Sequence, residues 1–148
     1  MLKKSVSVIL AVLLIVSLFT IVPITASAEE IKQSGDFKYA VMTDESGDEP
    51  VTYVEITGYT GDSASVTIPA SIEDIAVTSI RRDVFYECTN LVSVTFAGNS
   101  LTSIGENAFY KCNGLTAVTL PDSLENLGSS AFGRCDSLAS VYIPASGT

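Results

Sequence analysis

Cys88, Cys112 and Cys135 are the only thiols in the chain, and they recur at intervals of 24 and 23 residues. Three chemistries are open to such a set: disulfide pairing, metal ligation, or burial as small apolar side chains. Ligation fits poorly, because a structural zinc site needs short C-x-x-C pairs and the chain holds no histidine to complete a mixed set. The same lack of histidine removes Ser-His-Asp and Cys-His nucleophilic systems. Carboxylates are abundant, but they fall in turns rather than in facing pairs on strands, so two-carboxylate hydrolysis has no support. The acidic run Asp44-Glu45-Ser46-Gly47-Asp48-Glu49 offers oxygen donors without EF-hand spacing or its closing glutamate, and reads as a solvated loop. No catalytic residue, metal or cofactor is expected, and the chain is read as a non-enzyme.

The cysteines occupy one slot of a larger pattern that sets where every side chain points. From Val77 to Ile143 a single apolar template is written three times. Its copies are Val77, Ile80, Val84, Phe85, Cys88, Leu91, Val94 and Phe96; then Leu101, Ile104, Ala108, Phe109, Cys112, Leu115, Val118 and Leu120; then Leu124, Leu127, Ala131, Phe132, Cys135, Leu138, Val141 and Ile143. Tandem copies at this period describe a solenoid, in which each unit buries its apolar edge only against its neighbours. Within a copy, Ile104, Ala108 and Cys112 are spaced by four, as on one face of a short helix, and Val118 and Leu120 then alternate as in a half-buried strand. The expectation is a short parallel sheet with short helices on the convex side. Phe85, Phe109 and Phe132 should form one interior row. The three thiols should stack as a column of core side chains. Neighbours would come within disulfide reach of roughly 5.5 Å between Cα atoms, but parallel side-chain directions oppose closure.

The runs SIGENAFYKCNGLTAVTLPDSL and NLGSSAFGRCDSLASVYIP resemble the BspA-like subclass of bacterial leucine-rich repeats, with its A-F-x-x-C-x-x-L-x-x-V-x-[IL]-P pattern. The resemblance covers about Val66 to Pro144 and implies a leucine-rich-repeat solenoid, a β-rich α/β fold. It departs locally in the first copy, where Val84 replaces alanine, Arg81 replaces the glycine of Gly105 and Gly128, and Ala97 replaces the proline of Pro121 and Pro144. The resemblance also implies a secreted or surface protein, some members of the family being adhesins.

The chain begins with Lys3 and Lys4, a long apolar run from Ser5 to Val22, and Ala26-Ser27-Ala28 before Glu29-Glu30. This is the layout of a signal peptide over residues 1–28, cut after Ala28 and directing export to the cell surface or beyond it. An uncleaved anchor is the alternative, since some 18 apolar residues nearly span a bilayer. Without the leader, six basic side chains face 17 acidic ones, a net charge of −11. Nucleic acid and anionic membrane both require a cationic face, so neither is expected as a partner.

Residues 29–35 are polar and aperiodic, and read as a flexible spacer. Phe37, Tyr39 and Val41, then Val51, Tyr53, Val54 and Ile56, mark two strands of an antiparallel hairpin, so residues 36–64 are expected to cap the first coil. Residues 65–148 then hold the repeats, beginning with a first solenoid strand at Val66-Thr67-Ile68. Ile72 and Ile75 belong to a local insertion on the rim. Only Ala145 to Thr148 follow Pro144, which points to an uncapped last coil, either a fragment of a longer protein or a strand edge that pairs with another chain.

The remaining candidate site is the open face of the sheet. Thr67, Ser93, Thr95, Ala117, Thr119, Ser140 and Tyr142 alternate with the buried strand residues, and should present a small, uncharged, hydroxyl-rich surface. The reading is a secreted or cell-surface adhesion module that binds an extracellular protein or glycan there. The alternative is a structural spacer, or the N-terminal piece of a larger surface protein.

Overall fold

The computed structural model describes residues 29–143. The expected leader over residues 1–28 lies outside them, as do Pro144 to Thr148. Among the described residues no helix is long and apolar enough to cross a membrane.

The chain opens with three strands, β1 (Lys32–Ser34), β2 (Phe37–Asp44) and β3 (Val51–Tyr59). The alternation that marked β2 and β3 pairs them antiparallel, from Phe37 opposite Tyr59 to Asp44 opposite Val51, with a register shift between Lys38 and Tyr39. The loop between them is pinned at its start by the Ser46 N–H, which donates to the Asp44 carboxylate at 2.9 Å. The expected spacer over residues 29–35 needs correction. Lys32 to Ser34 form a strand against Tyr39 to Phe37, turned through Gly35 at a φ of 56°. A polar segment with no apolar period shows no strand signal, yet the unfilled edge of β2 offers its backbone groups a ladder.

Eight further strands follow: β4 (Ser65–Ile68), β5 (Ser71–Ile72), β6 (Ile75–Ile80), β7 (Ser93–Phe96), β8 (Ser103–Ile104), β9 (Ala117–Thr119), β10 (Asn126–Leu127) and β11 (Ser140–Tyr142). They build two sheets rather than one. The first runs β4-β7-β9-β11, all parallel. The second runs β6-β8-β10, also parallel, and is extended by β3, which pairs parallel with β6 and carries β2 and β1 beyond it. The insertion holding Ile72 and Ile75 is a tight β5–β6 hairpin whose two turn residues, Glu73 and Asp74, have φ of 52° and 62°.

The short helices do not form among the described residues. Where they were expected, residues 82–87, 106–111 and 129–134 make turns. Each turn holds two left-handed residues four apart: Asp83 and Glu87, Asn107 and Lys111, Ser130 and Arg134. Left-handed residues break a right-handed helix at every turn. The N–H groups a helix would use internally go to the next coil instead. Asp83, Phe85 and Glu87 donate to the carbonyls of Glu106, Ala108 and Tyr110 at 3.1, 2.7 and 2.8 Å, and Asn107, Phe109 and Lys111 repeat the pattern on Ser129, Ala131 and Gly133. So short a segment gains too little from its own hydrogen bonds to nucleate a helix.

The core fills the space between the two sheets and the turns. Phe85, Phe109 and Phe132 form the expected row, which continues back through Tyr59 to Phe37, with neighbouring ring centroids 4.7 to 5.6 Å apart. Val66, Ile68, Val94, Val118 and Leu120 face Val77, Ile80, Leu101 and Ile104, all buried. The departures of the first copy have steric and hydrogen-bonding reasons. A Cβ on Gly105 would lie 2.5 Å from the Arg82 nitrogen of the coil before, so that crossing needs glycine. Below Arg81 stands strand β3 rather than a turn, and its guanidinium reaches the carboxylates of Glu55 and Glu29. Ala97 donates its N–H to the Ile68 carbonyl at 2.9 Å, a bond that Pro121 lacks the hydrogen to make.

Candidate functional site: the hydroxyl-bearing sheet face

Parallel in-register pairing turns residues that are far apart in sequence into rows. Ser65, Ser93, Ala117 and Ser140 are register partners across β4, β7, β9 and β11. In the next row Thr67 pairs with Thr95, and Thr119 with Tyr142. Val66, Val94 and Val118 between the rows point into the core, so the alternation leaves the hydroxyls outside. All seven residues singled out from the sequence therefore share one face. Ser65 belongs with them and was missed, although it precedes Thr67 by two just as Ser93 precedes Thr95.

Part of the face is internally satisfied. The Thr67 and Thr95 hydroxyls lie 2.9 Å apart, and the Ser93 hydroxyl donates to that of Ser65 at 2.9 Å. Towards β9 and β11 the surface opens into a cavity of about 750 Å³, floored by Thr95, Ala117 and Thr119 with Tyr142 at one side. Its wall is a ladder of loops tied coil to coil. Asn99 Oδ1 accepts the Ser123 N–H at 3.0 Å, and the Ser123 hydroxyl donates to the Leu101 carbonyl at 2.6 Å. Tyr142 is 62% exposed. The strand residues of this face carry no charge, so its chemistry is hydrogen bonding from hydroxyls and stacking on one phenol ring.

The thiols are drawn into a column as their common slot required, and all three are free. Two are tied to the coil before them: Cys112 Sγ donates to the Phe85 carbonyl at 3.1 Å and Cys135 Sγ to that of Phe109 at 3.0 Å. Burial pushes the Cys112 thiol up to about 12, and raises those of Cys88 and Cys135 as well. These are packed protonated groups rather than nucleophiles. The Asp44 carboxylate, in the exposed acidic loop, is held below its ordinary pKa by hydrogen bonds from the Ser46 hydroxyl and N–H. On the turns, Tyr86 and Tyr110 stack at 5.4 Å with Lys111 Nζ 5.9 Å from both rings and 2.7 Å from Glu87 Oε1. Their repeat-length spacing of 24 residues was the available signal for this second, aromatic ladder.

Comparison with known proteins places the architecture. The family model for the BspA-type leucine-rich repeat region matches residues 59–148 in six copies. No curated protein matches the chain. Among solved structures it is similar to a leucine-rich repeat protein from Bacteroides capillosus, at 24% identity and a TM-score of 0.55, over 79% of this chain and 100% of that one. Weaker likenesses are a leucine-rich repeat protein of T. pallidum, at 24% identity, a TM-score of 0.38 and 78% and 72% coverage, and a leucine-rich cell surface protein of Faecalibacterium prausnitzii, at 21%, 0.42, and 82% and 44%. With more than half of its length matched by that repeat model, the chain belongs to the BspA-type leucine-rich repeat family.

Proposed function

We propose that this chain is a secreted or cell-surface interaction module that binds an extracellular protein or glycan across the open face of β4, β7, β9 and β11. Family membership supports an interaction module. The observation that carries the reading is the opening over Thr95, Ala117, Thr119 and Tyr142, where hydroxyls line a cavity of ligand size beside an exposed aromatic ring. Extended concave surfaces are how solenoids bind. The hairpin β2–β3 is proposed as the cap of the stack, because Tyr59 lies on Phe85 with ring centroids 5.0 Å apart and Phe37 covers Tyr59 in turn.

Replacing Thr95, Thr119 and Tyr142 together with lysine tests the binding reading, with retention on a panel of immobilised matrix proteins and glycans as the measurement. Retention of the parent and loss in the triple variant support it. Equal behaviour of the two refutes it, provided circular dichroism shows both folded. A structural spacer is the second reading, favoured by the Thr67–Thr95 and Ser65–Ser93 hydroxyl pairs, which satisfy one another without a ligand.

A further inference from the structure

We infer a second binding site, at the outer edge of β4, that takes a single extended peptide segment carrying basic side chains. It is separate from the open face and does not rest on that reading. Among the described residues strand β4 pairs on one side only, with β7. The Ala64 carbonyl accepts the N–H groups of Val92 and Ser93 at 2.8 and 3.0 Å, and the Ile68 carbonyl that of Ala97 at 2.9 Å, all on the β7 side. Residues 64, 66 and 68 therefore turn their backbone groups inward, and by alternation Ser65 and Thr67 turn their N–H and C=O groups to the free edge. That edge is the floor of a cavity of about 490 Å³, bounded by the β1–β2 turn with Asp36 and Phe37, by Tyr59, and by the β5–β6 hairpin with Ile72 and Glu73.

Two features select the occupant. In the second sheet the place before β6 is filled by β3, with β2 and β1 beyond it, whereas among the described residues no strand pairs with β4 on the side away from β7. With the neighbouring place in the second sheet already taken by β3, the β4 edge suits a lone peptide laddering on it rather than a complete coil. The cavity lining holds two carboxylates, Asp36 and Glu73, and no basic side chain. Lys32 pairs with Glu73 from outside at 3.3 Å, leaving the groove net acidic, so the peptide that fits carries lysine or arginine.

The experiment uses the full chain and a fluorescent hexapeptide of alternating valine and lysine, read by anisotropy at low salt and by amide exchange. Binding should protect the Ser65 and Thr67 N–H groups. A peptide N-methylated at alternate amides loses the ladder, and a valine–glutamate peptide loses the charge match. Each should bind at least about tenfold more weakly, as expected for the loss of one or two net hydrogen bonds or of the ion pairing. Thr67→Pro removes the outward N–H together with the hydroxyl bonded to Thr95 and should abolish binding, whereas Thr67→Val removes the hydroxyl alone, keeps the N–H and should bind normally. Equal binding of the N-methylated peptide, or protection that appears at β11 instead of β4, overturns the site. If Thr67→Pro fails to fold, the exchange and N-methylation results on the parent chain decide. Tyr142→Ala, which removes the open face's aromatic ring on the far strand β11 and adds no charge, should bind this peptide unchanged, which separates failure of one site from failure of the other.

Discussion

The rings of Phe85 and Phe109 lie 4.7 Å apart and within 4° of parallel, although 24 residues separate them in the chain. Both are fully buried, and the Phe85 N–H donates to the carbonyl of Ala108, the residue just before Phe109. Stacked rings and a shared backbone ladder thus fix the same coil-to-coil step. Phe109, with Phe85 on one face and Phe132 on the other, is the central member. Phe109→Ala is expected to cost about 3–5 kcal/mol, and Phe132→Ala less, because Phe132 is only partly buried. Urea unfolding followed by tyrosine fluorescence measures both, and equal losses would contradict a column anchored at its centre.

Alkaline stability should depend on the thiol column. Cys112 is raised in the folded chain from an ordinary value near 9 to about 12. Below pH 9 the thiol is protonated in both states and the fold is unaffected. Between about 9 and 12 the unfolded chain ionises first, so stability falls as pH rises. Cys112→Ala should flatten that fall in a pH series of urea midpoints, at the expense of lower stability at neutral pH. A thiol reagent should find three reactive groups in denaturant and react slowly with the native chain.

Gly105 is required by space rather than by backbone angle. Its added Cβ would meet the Arg82 nitrogen at 2.5 Å and the Arg81 carbonyl carbon at 2.7 Å, both backbone atoms that cannot swing away. Gly105→Ala should therefore cost about 2–4 kcal/mol. Gly58→Ala, whose Cβ meets only the flexible Lys38 side chain at 3.4 Å, should cost far less in the same thermal melt.

Arg81 links Glu29, the first described residue, to the sheet, binding Glu29 and Glu55 together. Its guanidinium is about one-third exposed, so the pairs are discounted for solvent. Arg81→Ala is expected to lower stability by about 1 kcal/mol while raising amide exchange at Glu29 to Ser34 severalfold. Unchanged exchange there would show that the β1–β2 ladder holds the segment unaided.

Deleting residues 29–61 tests the proposed cap. The shortened chain exposes Phe85 and the edge of β6, and should melt less cooperatively and associate in sedimentation. A monomer with the parent's transition would refute the assignment.

The aromatic row and the open face were legible because alternation and repeat spacing act on every coil: Val66, Val94 and Val118 go in, and Thr67, Thr95 and Thr119 come out. The second sheet was not. Ser103–Ile104 and Asn126–Leu127 are two-residue strands, too short to show a period. The turns imitated helices because Ile104, Ala108 and Cys112 recur every four residues whether the backbone coils or reverses. What decides between the two is positive φ at Asn107 and Lys111, which polarity does not record. β1 is Lys-Gln-Ser, with no apolar residue to betray it.

The coil-to-coil handover at Gly105 and Gly128 has a consequence for genetic change. Each coil meets its neighbour through the same ring, the same thiol and the same crossing glycine, so an in-frame duplication of residues 105–127 would insert as a complete storey. The natural copies already differ by one residue, at 24 and 23, so a single codon is absorbed in the turns, whereas a duplication of half a unit would place a side chain at the crossing. Copy number in this gene should therefore drift in units of 23 or 24 codons.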